Sequence, residues 1–300
     1  MVFIRRLFVA AAVFALPLLA GCSSSSTSSP GPTPFPMTRL YVSNDGSSGV
    51  VQIFAPPFSS SSTPAVAFQD GTSTDVDDVA FDRRGRLFVS NFGQDMVDVF
   101  LPPFTNTSTS TFSIATGLSP EGIDLDAFGN LYVANSGASN LTIYNAPLSG
   151  TSTAATTIST GLSDPIGVKI RAGVLYVADN SNGKVQIYNP PFSSSSAPVV
   201  SIPAPTAWGL GFDGAGNLWV GIRSPASVEE FVPPFTNTST PAITITSSLS
   251  QPDYPAFDAS GNLYVSNITD VTVFLAPLSS ASVGAFDMAT INSNGIRFGP

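Results

Sequence analysis

Leu40-Tyr41-Val42-Ser43-Asn44 is the first of six similar phrases that decide the fold of this chain. The other five are Leu87-Phe88-Val89-Ser90-Asn91, Leu131-Tyr132-Val133-Ala134-Asn135, Leu175-Tyr176-Val177-Ala178-Asp179, Leu218-Trp219-Val220-Gly221-Ile222 and Leu263-Tyr264-Val265-Ser266-Asn267. Successive copies begin 47, 44, 44, 43 and 45 residues apart. A repeat of this length is typical of a unit of four short strands, so the spacing predicts a repetitive all-β architecture.

Each phrase lies inside a longer unit in which four strands are readable. An apolar strand ending in Asp precedes it, as in Ile123-Asp124-Leu125-Asp126. A tight turn with Asp126 and Gly129 follows, because Asp caps such turns and Gly adopts left-handed backbone angles. The third strand alternates polar and apolar residues, as in Val185-Gln186-Ile187-Tyr188, and ends at proline, which has no amide hydrogen for the ladder. A short outer strand, such as Pro198-Val199-Val200 or Pro241-Ala242-Ile243, completes the unit.

The repeat predicts a six-bladed β-propeller over residues 38–300, with four antiparallel strands per blade. The repeat region begins at a second strand, Arg39 to Asn44, whereas its final segment, Asn294 to Phe298, matches a first strand. We therefore predict that the C-terminal strand joins the N-terminal blade and closes the ring, which removes open sheet edges. The Pro-Pro-Phe segments that follow the third strands are interpreted as strand ends with a packing Phe.

The units resemble NHL-type repeats, in which Pro-x-Gly-Val-x-x-Asp is followed by Gly-Asn-Leu-Tyr-Val-x-Asn and Val-x-Val-Phe. The segment from Pro120-Glu121-Gly122-Ile123 to Tyr144 matches this pattern best. The resemblance extends over residues 38–300 to gluconolactonase-like and streptogramin-lyase-like propellers. It implies the fold, but it does not select among hydrolases, lyases and binding platforms. Lyase-type members use a histidine for proton transfer, and the chain contains 0 histidines, which argues against that activity.

The N-terminal segment is typical of an exported lipoprotein. Arg5 and Arg6 precede an apolar run, and Leu19-Ala20-Gly21-Cys22 resembles a bacterial lipobox. We predict a signal peptide over residues 1–21, a lipidated Cys22 and a Ser/Pro-rich tether over residues 22–37. The expected location is the bacterial cell envelope, on the extracytoplasmic side, with the membrane contacted only through the lipid anchor.

Charge and composition restrict the class of partner. Without residues 1–21 the chain keeps nine basic residues against 20 acidic ones, a net charge of −11, and has no basic cluster. This charge excludes nucleic acid as an expected partner. With a single cysteine the chain forms no internal disulfide, and we expect a monomer that depends on its apolar core.

Candidate site residues occupy one repeat position, two residues before the first apolar residue of each first strand. Around the predicted ring this position holds Asn294, Asp77, Glu121, Ile166, Trp208 and Asp253. Asp77, Glu121, Asp253 and Asn294 are candidate oxygen ligands for Ca²⁺ or Mg²⁺, since these hard cations prefer carboxylates and amides. Trp208, with Arg223 and Ile166, is a candidate ligand-binding surface. The alternative interpretation is that solvated acids merely surround a water-filled channel.

Two functional classes follow from these patterns. The leading hypothesis is a non-catalytic binding or interaction module whose channel face binds a protein, glycan or small ligand, with no catalytic residue and no certain cofactor. The alternative is a divalent-cation-dependent, lactonase-like hydrolase that uses the four oxygen ligands. A purely structural envelope protein is a third possibility. The Asn and Asp residues that end the second strands recur in five units, so they are expected to hold the following loop.

Overall fold

The computed structural model describes residues 38–44, 49–69 and 75–300. The predicted signal peptide, the predicted lipidation site Cys22 and the predicted tether lie outside the described residues. No helix in the described part of the chain is long and apolar enough to cross a membrane.

The described residues form strands, turns and one short 3-10 turn at Phe92–Gln94. The strands are, in chain order, β1 (Arg39–Asn44), β2 (Val50–Phe54), β3 (Val66–Gln69), β4 (Val76–Phe81), β5 (Leu87–Asn91), β6 (Met96–Phe100), β7 (Phe112–Ala115), β8 (Pro120–Leu125), β9 (Leu131–Asn135), β10 (Asn140–Tyr144), β11 (Thr156–Ile158), β12 (Pro165–Arg171), β13 (Val174–Asp179), β14 (Lys184–Tyr188), β15 (Val200–Pro203), β16 (Ala207–Phe212), β17 (Leu218–Ile222), β18 (Ser227–Phe231), β19 (Ile243–Ile245), β20 (Pro255–Phe257), β21 (Leu263–Ser266), β22 (Ile268–Phe274) and β23 (Phe286–Gly299). The all-β prediction is confirmed. Two outer strands, β15 and β19, begin two residues later than predicted, after prolines that cannot donate to the ladder.

The strands assemble into five antiparallel sheets rather than six separate ones. Four sheets contain four strands each, namely β4 to β7, β8 to β11, β12 to β15 and β16 to β19. The fifth has seven strands in the order β20-β21-β22-β23-β1-β2-β3. The number differs from the prediction because β23 is continuous over 14 residues. Its first part pairs with β22 and its last part pairs with β1.

β23 pairs with β1 as predicted. Phe298 lies opposite Leu40 and Ile296 lies opposite Val42, so the C-terminal strand joins the N-terminal one as expected. The main-chain amide of Thr38 also donates to the carbonyl of Gly299 over 3.0 Å. The two ends of the repeat region are therefore held side by side by backbone hydrogen bonds.

The strands that carry the repeated phrase are almost completely buried. Apolar side chains from successive sheets form the core between them, for example Val133 with Ala80, and Leu175 with Leu141. The Phe residues of the Pro-Pro-Phe segments pack against these clusters, as Phe104 and Phe192 do, which agrees with the packing interpretation. The strand that carries the repeated phrase lies between neighbouring sheets, so both of its faces are buried. This explains why apolar residues occupy adjacent positions of the phrase as well as alternate ones.

Side chains of the Ser/Thr-rich loops cover the outer strands of preceding sheets. Asn106 Oδ1 accepts a hydrogen bond from the amide of Ala67 over 3.0 Å, and Asn237 Oδ1 accepts one from Ser201 over 2.8 Å. Ser280 Oγ accepts from the amide of Thr244 over 3.0 Å in the same way. These contacts satisfy main-chain donors that an outer strand otherwise leaves open to pairing with another chain.

The first strands of the repeats contact one another in a closed succession. β4 contacts β8, β8 contacts β12, β12 contacts β16, β16 contacts β20, β20 contacts β23, and β23 contacts β4. These six strands therefore surround a common axis. The candidate residues at the beginning of each strand are brought towards that axis.

Candidate functional site

A recurrent β-bulge places the candidate residues at one end of the axis. In each of five first strands, two residues lie opposite a single residue of the second strand. The first residue of each pair is a candidate site residue, namely Asp77, Glu121, Ile166, Trp208 or Asn294, and Asp253 lies just before β20. A bulge changes the direction in which a side chain points. We call these six residues the mouth.

Glycine at the second bulge position lets neighbouring bulges approach closely. A Cβ atom added at Gly122 would overlap the carbonyl oxygen of Ile166, and one added at Gly295 would overlap that of Asp77. Residues from different sheets are thereby in contact through their backbones. The mouth is compact because four of the five bulges carry this glycine, at positions 122, 167, 209 and 295.

Within the mouth, Asn294 and Asp77 interact directly. Asn294 Nδ2 donates a hydrogen bond to Asp77 Oδ1, although the residues are 217 positions apart in the chain. Both side chains are buried, with 2% and 4% of their surface exposed. The structure thus brings together two of the four residues predicted as oxygen ligands.

Arg223 lies beside the mouth, next to Trp208 and Asp253. Its Nε donates to Oδ1 of Asp253, and its guanidinium carbon lies 3.1 Å from the centroid of the Trp208 ring. One face of Trp208 is therefore covered by a cation that is already paired with a carboxylate. On this side the ring of Trp208, a predicted ligand-binding residue, is not open to a ligand.

Glu121 is held in an environment that favours its protonated form. Its side chain is buried, and Ser136 Oγ donates to its Oε1 over 3.1 Å. The pKa of Glu121 is raised to about 8, mainly by burial and also by the charges of Asp164 and Asp75, while the hydrogen bond from Ser136 and the charge of Arg223 lower it. Burial also raises the pKa of the neighbouring Asp164.

The carboxylates do not form a shared metal site among the described residues. No group of three or more Asp, Glu, His or Cys side chains is arranged to hold a metal ion in the described ranges. Asp253 instead binds Arg223, and Asp77 accepts from Asn294. Ca²⁺ or Mg²⁺ binding stays an untested prediction.

Several polar atoms of the mouth region are buried without a hydrogen-bond partner in the described structure. They are Asn294 Oδ1, Trp208 Nε1 and the hydroxyl of Tyr254. Buried polar groups are almost always satisfied in native proteins, and an unsatisfied one costs on the order of 1–3 kcal/mol. Such atoms in a candidate site point to a molecule that satisfies them.

A cavity of about 260 Å³ adjoins the mouth. It is lined by Arg223, Asp253, Ile268, Asn292, Ser293 and Asn294. Ile268 and Asn292 adopt positive φ angles of 62° and 45°, which mark the irregular start of β22 and the bend in β23. The cavity connects the two interacting pairs of the mouth, because Asp253 and Asn294 belong to different pairs.

Sequence reasoning missed a buried charge network beneath the mouth. Lys169 Nζ lies 3.6 Å from Asp78 Oδ2, and Arg297 Nη1 donates to Asp124 Oδ1 over 2.7 Å. The four side chains belong to β12, β4, β23 and β8. For Lys169, Asp124 and Arg297, the available signal was a charged residue at a repeat position that other repeats fill with glycine or alanine, namely Gly211, Ala80 and Ala256.

Tyr254 separates the mouth from this network. It takes the place that glycine holds in four other repeats, and its ring lies where a Cβ of Gly209 would be. Burial raises the pKa of its hydroxyl well above the usual range, and the charges of Asp78, Glu121, Asp77 and Asp253 raise it further. The Nζ atom of Lys169 lies 5.7 Å from the ring centroid. Tyr254 therefore forms the floor of the mouth.

The Asn and Asp residues that end the second strands hold loops, but these bonds go to the loop before the first strand and not to the following loop that was predicted. Asn135 Oδ1 accepts from the amide of Gly117 over 3.1 Å, and its Nδ2 donates to Thr142 Oγ1 over 3.0 Å. Asp179 Oδ1 accepts from the amides of Ser163 and Asp164. Asn267 Oδ1 binds the amides of Ser250 and Gln251 in the same manner. Their role is structural.

Comparison of the sequence with known proteins does not assign the chain to a family. No model of a known protein family matches the chain, and no curated protein sequence matches it significantly. The relationship to NHL repeats thus stays a resemblance.

Comparison of structures identifies similar folds. A periplasmic gluconolactonase of Pseudomonas aeruginosa is 14% identical, with a TM-score of 0.64 over 87% of this chain and 99% of that one. A chain from a nidogen–laminin complex is 17% identical, with a TM-score of 0.67 over 86% and 97%. A Bacteroides caccae protein of unknown function is 12% identical, with a TM-score of 0.66 over the same shares. At these identities the likeness shows the fold alone, and it supports a propeller.

Proposed function

We propose that this protein is a lipid-anchored, extracytoplasmic six-bladed β-propeller that acts as a binding module without catalysis. The six blades follow if the seven-stranded sheet comprises two blades that share β23. The closed succession of contacts among the first strands supports a ring of six. The proposal assigns the partner, whether protein, glycan or small ligand, to the mouth.

One observation carries the binding role. Five equivalent bulges and the corresponding position before β20 place unlike side chains around one axis, among them Asp77, Glu121, Trp208, Asp253 and Asn294. Equivalent positions in a repeat that serve structure alone are filled alike, as the phrase strands are. The mouth differs among repeats and contains buried polar atoms without partners, which is the pattern of a recognition site.

The binding role is tested by comparing capture by the intact protein and by mouth variants. The mature protein is immobilised through its C-terminus and exposed to a glycan array and to solubilised envelope proteins. Arg223→Ala and Asn294→Ala should each reduce retention of a bound glycan or protein at least tenfold, whereas the turn variant Arg84→Ala should not. Equal retention by all variants would reject the mouth as the binding surface.

The proposed location has its own test. If Cys22 carries the lipid, the protein should fractionate with membranes, and Cys22→Ser should move it to the soluble extracytoplasmic fraction. A Ser23→Ala variant is the matched control and should stay with the membranes. Membrane association of Cys22→Ser would contradict lipidation at this residue.

The alternative function is a divalent-cation-dependent hydrolase of the lactonase-like type. Its support is the fold likeness to a periplasmic gluconolactonase together with Asp77, Glu121, Asp253 and Asn294 at equivalent positions around one axis. A screen of sugar lactones with Ca²⁺, with Mg²⁺ and with a chelator tests it. Chelator-sensitive hydrolysis that is lost in Asp77→Asn would establish the hydrolase and displace the non-catalytic proposal.

A further inference from the structure

We propose that the end of the domain opposite the mouth docks on an anionic phospholipid surface, that of the membrane to which the proposed lipid anchor holds the chain. At this end each first strand turns into its second strand, and we call it the turn end. The inference goes beyond the proposed binding at the mouth, and it rests on the proposed location. It names a second surface of the domain and the kind of partner that fits it.

The described chain enters the domain at the turn end. Leu40 of β1 holds the repeat position of Leu87, which directly follows the turn between β4 and β5. Arg39, one residue earlier, is held opposite Gly299 by strand pairing. The predicted tether, residues 22–37, spans at most about 55 Å when fully extended. A lipid at the start of the tether therefore holds the domain by its turn end and keeps this end close to the bilayer.

Basic side chains gather on one half of the turn end. Arg39 begins β1, Arg83 and Arg84 lie in the turn between β4 and β5, and Arg171 ends β12, and all four are exposed. The first strands of the blades concerned are β23, β4 and β12, which follow one another around the axis with β8 between the last two. These arginines are dispersed in the sequence, so only the fold brings them to one side. We call the four residues the basic arc.

The acids nearest to the basic arc are already engaged. Asp82 binds Arg86 over 2.6 Å, and Asp126 of the neighbouring turn accepts hydrogen bonds from two amides of its own turn. In the described ranges neither Arg83 nor Arg84 forms an ion pair. The chain as a whole is acidic, but exposed charges more than about 8 Å apart are largely screened at physiological salt. The local charge of the arc therefore decides how this half meets an anionic surface.

An exposed aromatic ring lies within the arc. Phe128, in the turn between β8 and β9, has 86% of its surface exposed. Its amide donates to Asp126 Oδ1 over 2.8 Å, and Ser260 makes the same bond to Asp258 in the turn of another repeat. The turn therefore needs an amide at this position and not an aromatic side chain. An exposed phenyl ring beside basic residues is typical of surfaces that insert into the interface of a bilayer.

Further apolar side chains are exposed at the same end. Leu101, Val232 and Leu275 each follow a third strand, and 49% to 55% of their surface is exposed. The last residue of each of these strands lies opposite the first residue of a second strand, which places the three side chains at the turn end. An accumulation of exposed apolar side chains at one end of a domain indicates an interaction surface.

A cleft of about 430 Å³ joins the charged and the apolar parts of this surface. It lies between two neighbouring turns, and its lining includes Arg83, Arg84 and Arg86 on one side and Phe128 and Pro147 on the other. The phosphate oxygens of a lipid headgroup match guanidinium donors, and its glycerol and acyl carbons pack against a phenyl ring. The cleft has the volume of a small-molecule site, which suits one headgroup.

The entry point of the chain favours a membrane over other polyanions. A nucleic acid or an acidic protein is also attracted by arginines. Neither of these partners explains why the arginines, the exposed ring and the first strand of the domain meet at the same end. Docking of the turn end directs the mouth away from the bilayer, where a partner in the envelope reaches it.

The test uses the mature chain, residues 22–300, with Cys22→Ser, so that no acyl chain holds it to the bilayer. Flotation with vesicles of phosphatidylglycerol and phosphatidylcholine in equal parts gives the partition coefficient. We expect binding that decreases as the salt concentration rises, because exposed charges attract the vesicle surface only within the screening length. Vesicles of phosphatidylcholine alone should bind much less.

Two pairs of variants locate the contact. Arg84→Ser and Phe128→Ser should each reduce the partition coefficient about fivefold. Lys184→Ser and Leu118→Ser change an exposed base and an exposed apolar residue at the mouth end, so they are the matched controls and should partition as the parent does.

Fluorescence gives the orientation of the bound protein. Cys22 is the single cysteine of the chain, so in the Cys22→Ser background Ala127→Cys and Leu118→Cys each carry one fluorophore. Spin-labelled headgroups should quench the fluorophore at the turn end, residue 127, and leave the one at residue 118 largely unchanged.

Circular dichroism confirms that each variant is folded before partition is compared. Absence of binding to the anionic vesicles, equal losses in Arg84→Ser and Lys184→Ser, or equal quenching at residues 118 and 127 would overturn the inference. Displacement by inorganic phosphate at constant ionic strength would reassign the cleft to a soluble anion, and preference for a single-stranded oligonucleotide would reassign the arc to nucleic acid. Capture at the mouth and membrane fractionation are measured without these vesicles, so the proposed function and location stand or fall independently.

Discussion

Arg297 donates a hydrogen bond over 2.7 Å to Asp124, a residue that lies 173 positions earlier in the chain. The pair joins β23 to β8 across the axis, and both side chains are largely buried. Asp124 also accepts from the amide of Ile170 over 2.9 Å. A single carboxylate therefore connects three sheets whose strands are distant in sequence.

Loss of Arg297 should be strongly destabilising. Arg297→Met leaves the buried Asp124 charge without its partner, and we expect a loss of about 3–5 kcal/mol in the free energy of unfolding. Chemical denaturation measures it. The exposed Arg84→Met should change stability by less than about 0.5 kcal/mol. Adding Asp124→Asn to Arg297→Met should restore part of the loss, because the amide remains an acceptor without carrying charge. Equal effects of Arg297→Met and Arg84→Met would contradict the importance of the pair.

Protonation of Glu121 should make stability depend on pH with a defined sign. Its pKa rises from an ordinary value of 4.5 to about 8 in the folded protein, mainly because of burial. Between these two pH values the unfolded chain loses the proton and the folded chain keeps it, so stability falls as the pH rises. We expect Glu121→Gln to gain a few kcal/mol relative to the parent between pH 5 and about 8. A constant difference between the two proteins over this range would show that Glu121 titrates normally.

Glycine at the bulges should be sensitive to a single methyl group. A Cβ at Gly122 would overlap the carbonyl oxygen of Ile166, which is backbone and cannot turn aside. Gly122→Ala should therefore cost about 1–3 kcal/mol or more. Gly214 is the matched control, since a Cβ there has no neighbour within 4 Å. Thermal unfolding of both variants compares them, and equal melting temperatures would refute close contact between the bulges.

Tyr254 should be needed for its ring rather than for its hydroxyl in the absence of ligand. Tyr254→Phe removes a polar atom that has no partner in the described structure, so stability should change by less than about 1 kcal/mol. Tyr254→Ala removes a fully buried ring and should cost about 3–5 kcal/mol. Denaturant unfolding of the two variants distinguishes them. A large loss in Tyr254→Phe would reveal a structural partner for the hydroxyl.

The sequence predicted those parts of the fold that depend on neighbouring residues. The turn at Asp126 is an example, since Asp126 Oδ1 accepts from the amides of Phe128 and Asn130, and Gly129 has a φ of 87°. Period and turn chemistry are both local, so strand positions followed from them. The positions of the mouth residues also followed from the repeat, because residues at the same repeat position occupy corresponding places in successive blades.

Interactions between repeats were not predictable in the same way. The contact of Arg223 with Asp253 depends on how far one side chain extends across a sheet boundary. The pairing of Lys169 with Asp78 likewise depends on which first strands meet across the axis. Periodicity gives the position of each residue within its own blade, but it does not give the orientation of its side chain towards a neighbouring blade. The number of sheets was wrong for a related reason, since the pattern does not show that β23 continues without a break.

The double role of β23 has a consequence for the order of events in the cell. Neither β1 nor β22 gains this neighbouring strand until residues 286–299 have been synthesised. One edge of β1 therefore stays without a neighbouring strand while the intervening residues are synthesised. Unpaired strand edges make incompletely folded chains prone to aggregation, and pairing with β23 removes this edge.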